Sequence, residues 1–161
     1  MKKILFFVLA VILLCLSQSV SAQDLRAQLD VKMLVTPHSD GTDVSSAAID
    51  SRNFKSQLIC VYAGIATYSA EAKLDVILEE CATAVGSFTP VVDSKVWGPQ
   101  TVDDEGVILT IDEELTAGKM YEILYLGRSP YVKVTCDYTG GFTATPTVQV
   151  FAVQGGKIIQ E

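Results

Sequence analysis

A single histidine in 161 residues leaves this chain few routes to acid–base or nucleophilic chemistry at neutral pH. His38 sits in TPHSDGTDVSS (residues 36–46), a stretch so rich in Ser, Thr, Asp and Gly that it reads as a loop. A Ser-His-Asp triad would have to recruit it, and a triad needs its base held rigidly by a further group. A solvated loop histidine is the simpler reading. A cysteine nucleophile would need the same His38 as base. Cys60, Cys81 and Cys136 are too scattered for zinc, with no Cys-x-x-Cys pair among them.

Two acidic clusters remain, Asp103-Asp104-Glu105 and Asp112-Glu113-Glu114. Loop carboxylates can hold calcium, but neither cluster has the alternation of an EF-hand loop, and solvated turn residues are the expectation. Paired carboxylates could also serve glycoside hydrolysis, although adjacent residues on a strand or turn point apart. Gly140-Gly141 and Gly155-Gly156 lead into no phosphate loop. The sequence therefore predicts no catalytic, cofactor-binding or metal-binding residue, and no enzyme. Its function is expected to lie in surfaces.

The elements that would present those surfaces are strands. Tyr121, Ile123 and Tyr125 alternate; Val132, Val134, Cys136 and Tyr138 share one face against Lys133, Thr135 and Asp137. Val148, Val150 and Ala152 repeat the pattern opposite Thr147 and Gln149. Gly127-Arg128-Ser129-Pro130 and Thr139-Gly140-Gly141 punctuate the three runs. Leu58–Tyr62 and Val107–Ile111 read as further strands. Residues 70–84 are ambiguous, since Ala, Glu and Leu suit a helix; the alternation of Leu74, Val76 and Leu78 favours a strand. Short strands between turn signals predict one all-β domain, a single antiparallel β-sandwich or jelly-roll-like barrel, over residues 46–161.

Residues 23–45 read as an N-terminal arm: a short helix or a disordered polar segment to Lys32, then the loop. Residues 1–22 have Lys2-Lys3, an apolar run from Ile4 to Leu16 and a Val20-Ser21-Ala22 end, the three parts of a signal peptide or membrane-targeting segment. The apolar run is short for a bilayer span. Loss of residues 1–22 removes two lysines and no acid, so a net charge of −7 becomes −9. An acidic chain without a basic cluster is not expected to bind nucleic acid. Export would favour pairing two of the three remaining cysteines, while the apolar settings of Cys60 and Cys136 suit buried free thiols. Both readings stay open.

Three segments together resemble small tailed-phage virion proteins of the capsid decoration, stabilising or head-fibre-like kind. AAIDSRNFKS (residues 47–56) with the strand Leu58–Gly64 resembles their opening, and residues 74–93 resemble a strand ending in Glu-Glu before a "Phe-Thr-x-Val" turn. Residues 120–154 are similar to their Tyr-rich closing part with its "Tyr-Val-Lys-Val" phrase. The likeness spans about Ser46 to Gly156. Asn53 departs from it, standing where glycine is usual, as does Cys81-Ala82-Thr83 in place of a Ser/Asp/Gly-type turn. It implies a non-enzymatic virion structural protein, homo-oligomeric, with capsid protein as partner and membrane contact only through residues 1–22 if uncleaved. It also implies a turn cap at Asp50, core packing by Phe54 and Tyr131, and a positive φ at Gly127. Lys133, Thr135 and Gln149 would then be assembly surface. The rival is an exported periplasmic or cell-surface β-sandwich binding or adhesion module.

Overall fold

Residues 30–68 and 71–155 are described by the structure, a computed structural model; residues 1–22 lie outside the described residues, as do 23–29 of the expected arm. In chain order the strands are β1 (Asp30–His38), β2 (Val44–Ser45), β3 (Ile49–Asp50), β4 (Ser56–Ala63), β5 (Thr67–Tyr68), β6 (Lys73–Cys81) and β7 (Thr89–Pro90). They continue as β8 (Val96–Trp97), β9 (Val107–Ile111), β10 (Lys119–Tyr125), β11 (Tyr131–Thr139), β12 (Phe142–Ala144) and β13 (Val148–Gly155). One 3₁₀ turn, Asp93–Lys95, precedes β8.

Two antiparallel sheets stack as an open sandwich rather than a closed barrel. The first runs β1-β13-β4-β10-β8. The second centres on β11 and β6, with β2 and β3 along the free side of β11 and β7 and β9 along that of β6. A small β5–β12 ribbon stands apart. The period-two pattern places Val132, Val134, Cys136 and Tyr138 inward from β11, and Val148, Val150 and Ala152 inward from β13. Residues 73–81 form a strand because Leu74, Val76 and Leu78 reach the core at alternate positions, which a helix would scatter. Each such side chain removed from water contributes about 1.5–3 kcal/mol.

Three expectations need correction. Residues 30–45 are no arm: β1 pairs with β13 from Asp30↔Gln154 to His38↔Val148, and β2 pairs with β11. Two register shifts in β1, around Met33–Val35 and Val35–His38, let the strand accommodate Thr36 and Pro37 at the sheet edge. Gly127 does not have a positive φ; Gly41, Gly106 and Gly140 do. Its need is for space, since an added Cβ would sit 2.1 Å from Cζ of Tyr125. Phe54 and Tyr131 are half-buried rather than core. Tyr131 faces outward, with the Arg52 guanidinium 5.4 Å from its ring centre. Asp50 does cap its turn, accepting from Arg52 N at 3.0 Å.

Candidate functional site

His38 closes β1 rather than floating in a loop. Its Nε2 donates to the Thr42 carbonyl (2.9 Å) and lies 2.8 Å from Asp40 Oδ1, while the ring leans on Tyr138. The imidazole thus fastens a turn; its partners among the described residues include no serine or cysteine nucleophile. Asp103 Oδ1 accepts from Glu105 N (3.0 Å) and Val107 N (2.9 Å), so this acidic residue folds its own loop. Asp104, Glu105, Asp112, Glu113 and Glu114 are exposed. No group of three His, Cys, Asp or Glu among the described residues is arranged to hold a metal.

Cys60, Cys81 and Cys136 are free thiols. Burial pushes Cys136 up to about 12, and burial with nearby Glu122 raises Cys60. Cys81, half-buried at the end of β6, accepts from Thr83 N. A thiol-alkylating reagent applied to native protein is expected to label Cys81, with Cys60 and Cys136 at least ~100-fold slower until denaturant is added. Peptide mass spectrometry reads the labels, and fast native labelling of Cys136 would contradict the buried placement.

The most concentrated chemistry is structural. Glu80 is 9% exposed and comes from β6 into one end of the sandwich. It accepts from Tyr125 Oη at 2.5 Å and pairs with Lys95 Nζ. Burial alone would raise the Glu80 carboxyl, but Lys95, Tyr125 and Ser129 outweigh it and hold the group below its usual range. Burial and the same carboxylate push the Tyr125 phenol well up. Sequence reasoning missed this cluster: its members are separated by 15 and 45 positions and meet only when the two sheets stack.

The two outer faces differ sharply. Outside the second sheet, Lys133 pairs with Glu79 at 2.7 Å and Lys73 with Asp75 at 2.6 Å; Asp75 also accepts from Thr110 Oγ1. Thr135 bonds Ser45 Oγ at 2.8 Å. That face is polar and carries ion pairs, with Asp137 set beside the carboxylates of Asp43 and Asp75. Outside the first sheet, register aligns Val31, Val153, Leu58, Leu124 and Trp97 in one row across all five strands. A second row holds Met33, Phe151, Cys60 and Glu122, and a third Gln149, Tyr62 and Met120. Trp97 is 76% exposed, Val31 63%, Met33 54% and Met120 47%. Beside Trp97, a hollow of about 400 Å³ is lined by Gly98, Pro99, Met120, Tyr121 and Glu122. At the start of β1, Val31 and Met33 face solvent, and the strand reaches the core only at Val35. The expected surface trio is therefore split, with Lys133 and Thr135 on the polar face and Gln149 on the apolar one.

No protein-family model matches the chain, and no curated protein does. Similar solved structures include YomS, an SPBc2 prophage-derived protein, at 12% identity and TM-score 0.39, covering 78% of this chain and 95% of that one. Another is the tripod from the baseplate of bacteriophage Tuc2009, at 5% identity and TM-score 0.38, covering 81% and 65%. The CBM22-1–GH10 modules of Clostridium thermocellum xylanase 10B, complexed with xylohexaose, match at 12% identity and TM-score 0.42, covering 73% of this chain and 20% of that one. At such scores the function has to be argued from this chain's own surfaces. The chain is an all-β sandwich of two antiparallel sheets.

Proposed function

We propose that this chain is a non-enzymatic structural subunit of a virion, a decoration, stabilising or spike module that works by surface association. The carrying observation is the apolar outer face of the first sheet, set against a second sheet whose outer face is polar and holds the ion pairs Lys133–Glu79 and Lys73–Asp75. Apolar side chains gathered on one outer face, Val31, Met33, Trp97 and Met120 among them, are the kind of surface that marks an interaction site. The phage-like phrases at residues 47–56, 74–93 and 120–154 support the virion setting. The exposed carboxylates at 103–105 and 112–114 suit basic loops of a capsid protein, which makes attachment salt-sensitive. Proteomics and electron microscopy of purified particles test this: the protein is expected in fixed stoichiometry, reduced by high salt. Its absence from particles overturns the reading.

The rival reading, an exported surface binding module, is favoured by one observation, the exposed Trp97 beside the hollow that Glu122 lines. An aromatic face next to a carboxylate suits a sugar ring. N-terminal sequencing of protein from its native source separates the two routes, because a start at Gln23 marks export.

A further inference from the structure

We infer that the hollow between the β3–β4 loop and the β10–β11 loop binds an acidic sugar, a uronate-like unit whose carboxylate is held by Lys55 and Arg128. The site shares no lining residue with the hollow beside Trp97 or with the apolar rows of the first sheet. It therefore stands whether or not that face carries the module onto a particle.

Charge marks the place. Eight lysines and arginines lie among the described residues, and six of them pair with a carboxylate. The two that do not, Lys55 and Arg128, both line this one hollow of about 430 Å³, with Ser51, Arg52 and Phe54. In a chain of net charge −7 carboxylates are plentiful, so two neighbouring cations without one leave a place for an anion from outside. Arg52 is already matched by Asp50 at 2.5 Å, and the charge left over is that of Lys55 and Arg128.

Both loops are fastened before any ligand arrives. Ser51 N donates to Pro130 O at 2.8 Å and ties one loop to the other. Lys55 N donates to Gly155 O (3.2 Å), Phe54 N to Ser51 O (3.0 Å), and Gln154 Nε2 to Asp50 O (2.9 Å). On the Arg128 side, Leu126 N donates to Lys95 O at 2.8 Å and Ser129 bonds Glu80. A pocket already ordered loses little affinity to ordering its loops on binding.

The lining suits a ring that carries the anion rather than the anion alone. An inorganic oxyanion would leave most of the volume empty, and 430 Å³ lies in the range of small-molecule pockets. Half-buried Phe54 offers an apolar wall to the C–H face of a sugar. Ser51 Oγ accepts from buried Gln57 Nε2, which leaves its own proton for a sugar oxygen. A guanidinium such as that of Arg128 grips both oxygens of a carboxylate, and Lys55 adds a point charge. An acidic side chain of a protein partner would reach the cations without filling the space beside Phe54.

Backbone amide NMR on the full chain, titrated with glucuronate, tests the site. Saturable shifts are expected at residues 51–55 and 127–129, with a dissociation constant on the order of 1 mM. Glucose, which lacks the carboxylate, is expected to bind at least ~10-fold more weakly. Lys55→Gln and Arg128→Gln should each weaken glucuronate by a similar ~10-fold, the loss of one charge-assisted bond. Both side chains are exposed, so the thermal midpoint should not move. Phe54→Leu should weaken glucuronate while leaving inorganic sulfate unchanged. No saturable shift by ~50 mM glucuronate overturns the proposal, as does glucose binding equally well or an affinity that ignores both charge substitutions. Inorganic sulfate as tight as glucuronate overturns it too, since the site then takes a bare anion. A short glutamate peptide binding more tightly than glucuronate does the same in favour of a protein partner. Particle content scores the structural role separately from all of these.

Discussion

Glu80→Ala is expected to destabilise the sandwich by about 3 kcal/mol, the low end of what breaking a buried pair costs. The carboxylate is 9% exposed and is the acceptor for a fully buried Tyr125. Its removal leaves that hydroxyl without the acceptor, a loss of about 1–3 kcal/mol. Lys95 has a side chain 38% exposed and recovers water, which keeps the total from rising further. Equilibrium urea unfolding should show a lower midpoint at unchanged slope. Tyr125→Phe should lose only about 1–2 kcal/mol, since Glu80 keeps its cation.

Acid should expose the same cluster. The folded Glu80 carboxyl lies below its ordinary value of 4.5, so its stabilising contribution is present above that pH and is lost as pH falls through the folded value. Asp137 works in the opposite sense: burial, Asp43 and Asp75 raise it above 3.8, so its contribution is present in acid and lost as pH rises. Glu80→Gln should therefore flatten the fall in stability below pH 4.5, leaving the Asp137 trend visible. A variant as acid-sensitive as the parent would remove Glu80 from this role.

Gly127→Ala should be nearly as costly, about 3 kcal/mol, although it adds one methyl group. An added Cβ would lie 2.1 Å from both Cζ and Oη of Tyr125. The ring must leave its place, and it takes the Glu80 hydrogen bond with it. The two sites are thus one unit. In a Tyr125→Ala background the same substitution should cost less than about 1 kcal/mol, a coupling that a double-mutant cycle reads directly. Additive losses would mean that backbone conformation, and not the ring, demands glycine here.

The central strands were legible because half their residues meet a core. β6 and β11 alternate clearly, since one side is buried and the other is charged. β1 was not legible: Val31 and Met33 face out, only Val35 reaches the core, and Thr36-Pro37 imitates a loop. The apolar outer face was hidden for the same reason. In β13, Phe151 and Val153 fill the positions that the alternation of Val148, Val150 and Ala152 assigns to polar residues. A strand apolar on both sides loses the contrast that marks which side is wet. The Glu80–Tyr125–Lys95 cluster and the crowding at Gly127 depend on how the sheets stack, which no local spacing encodes.

The pairing of Asp30 with Gln154 means that the described chain enters and leaves at the same end of one strand pair. Pulled apart at these two points, β1 and β13 would open like a zipper, one rung of hydrogen bonds at a time, instead of shearing all rungs together. Held through one point only, the pair bears no such load. A particle that must survive pressure or flow is therefore best served by mooring this module through a single end, and a fusion that loads both should fail mechanically at β1 long before the core yields.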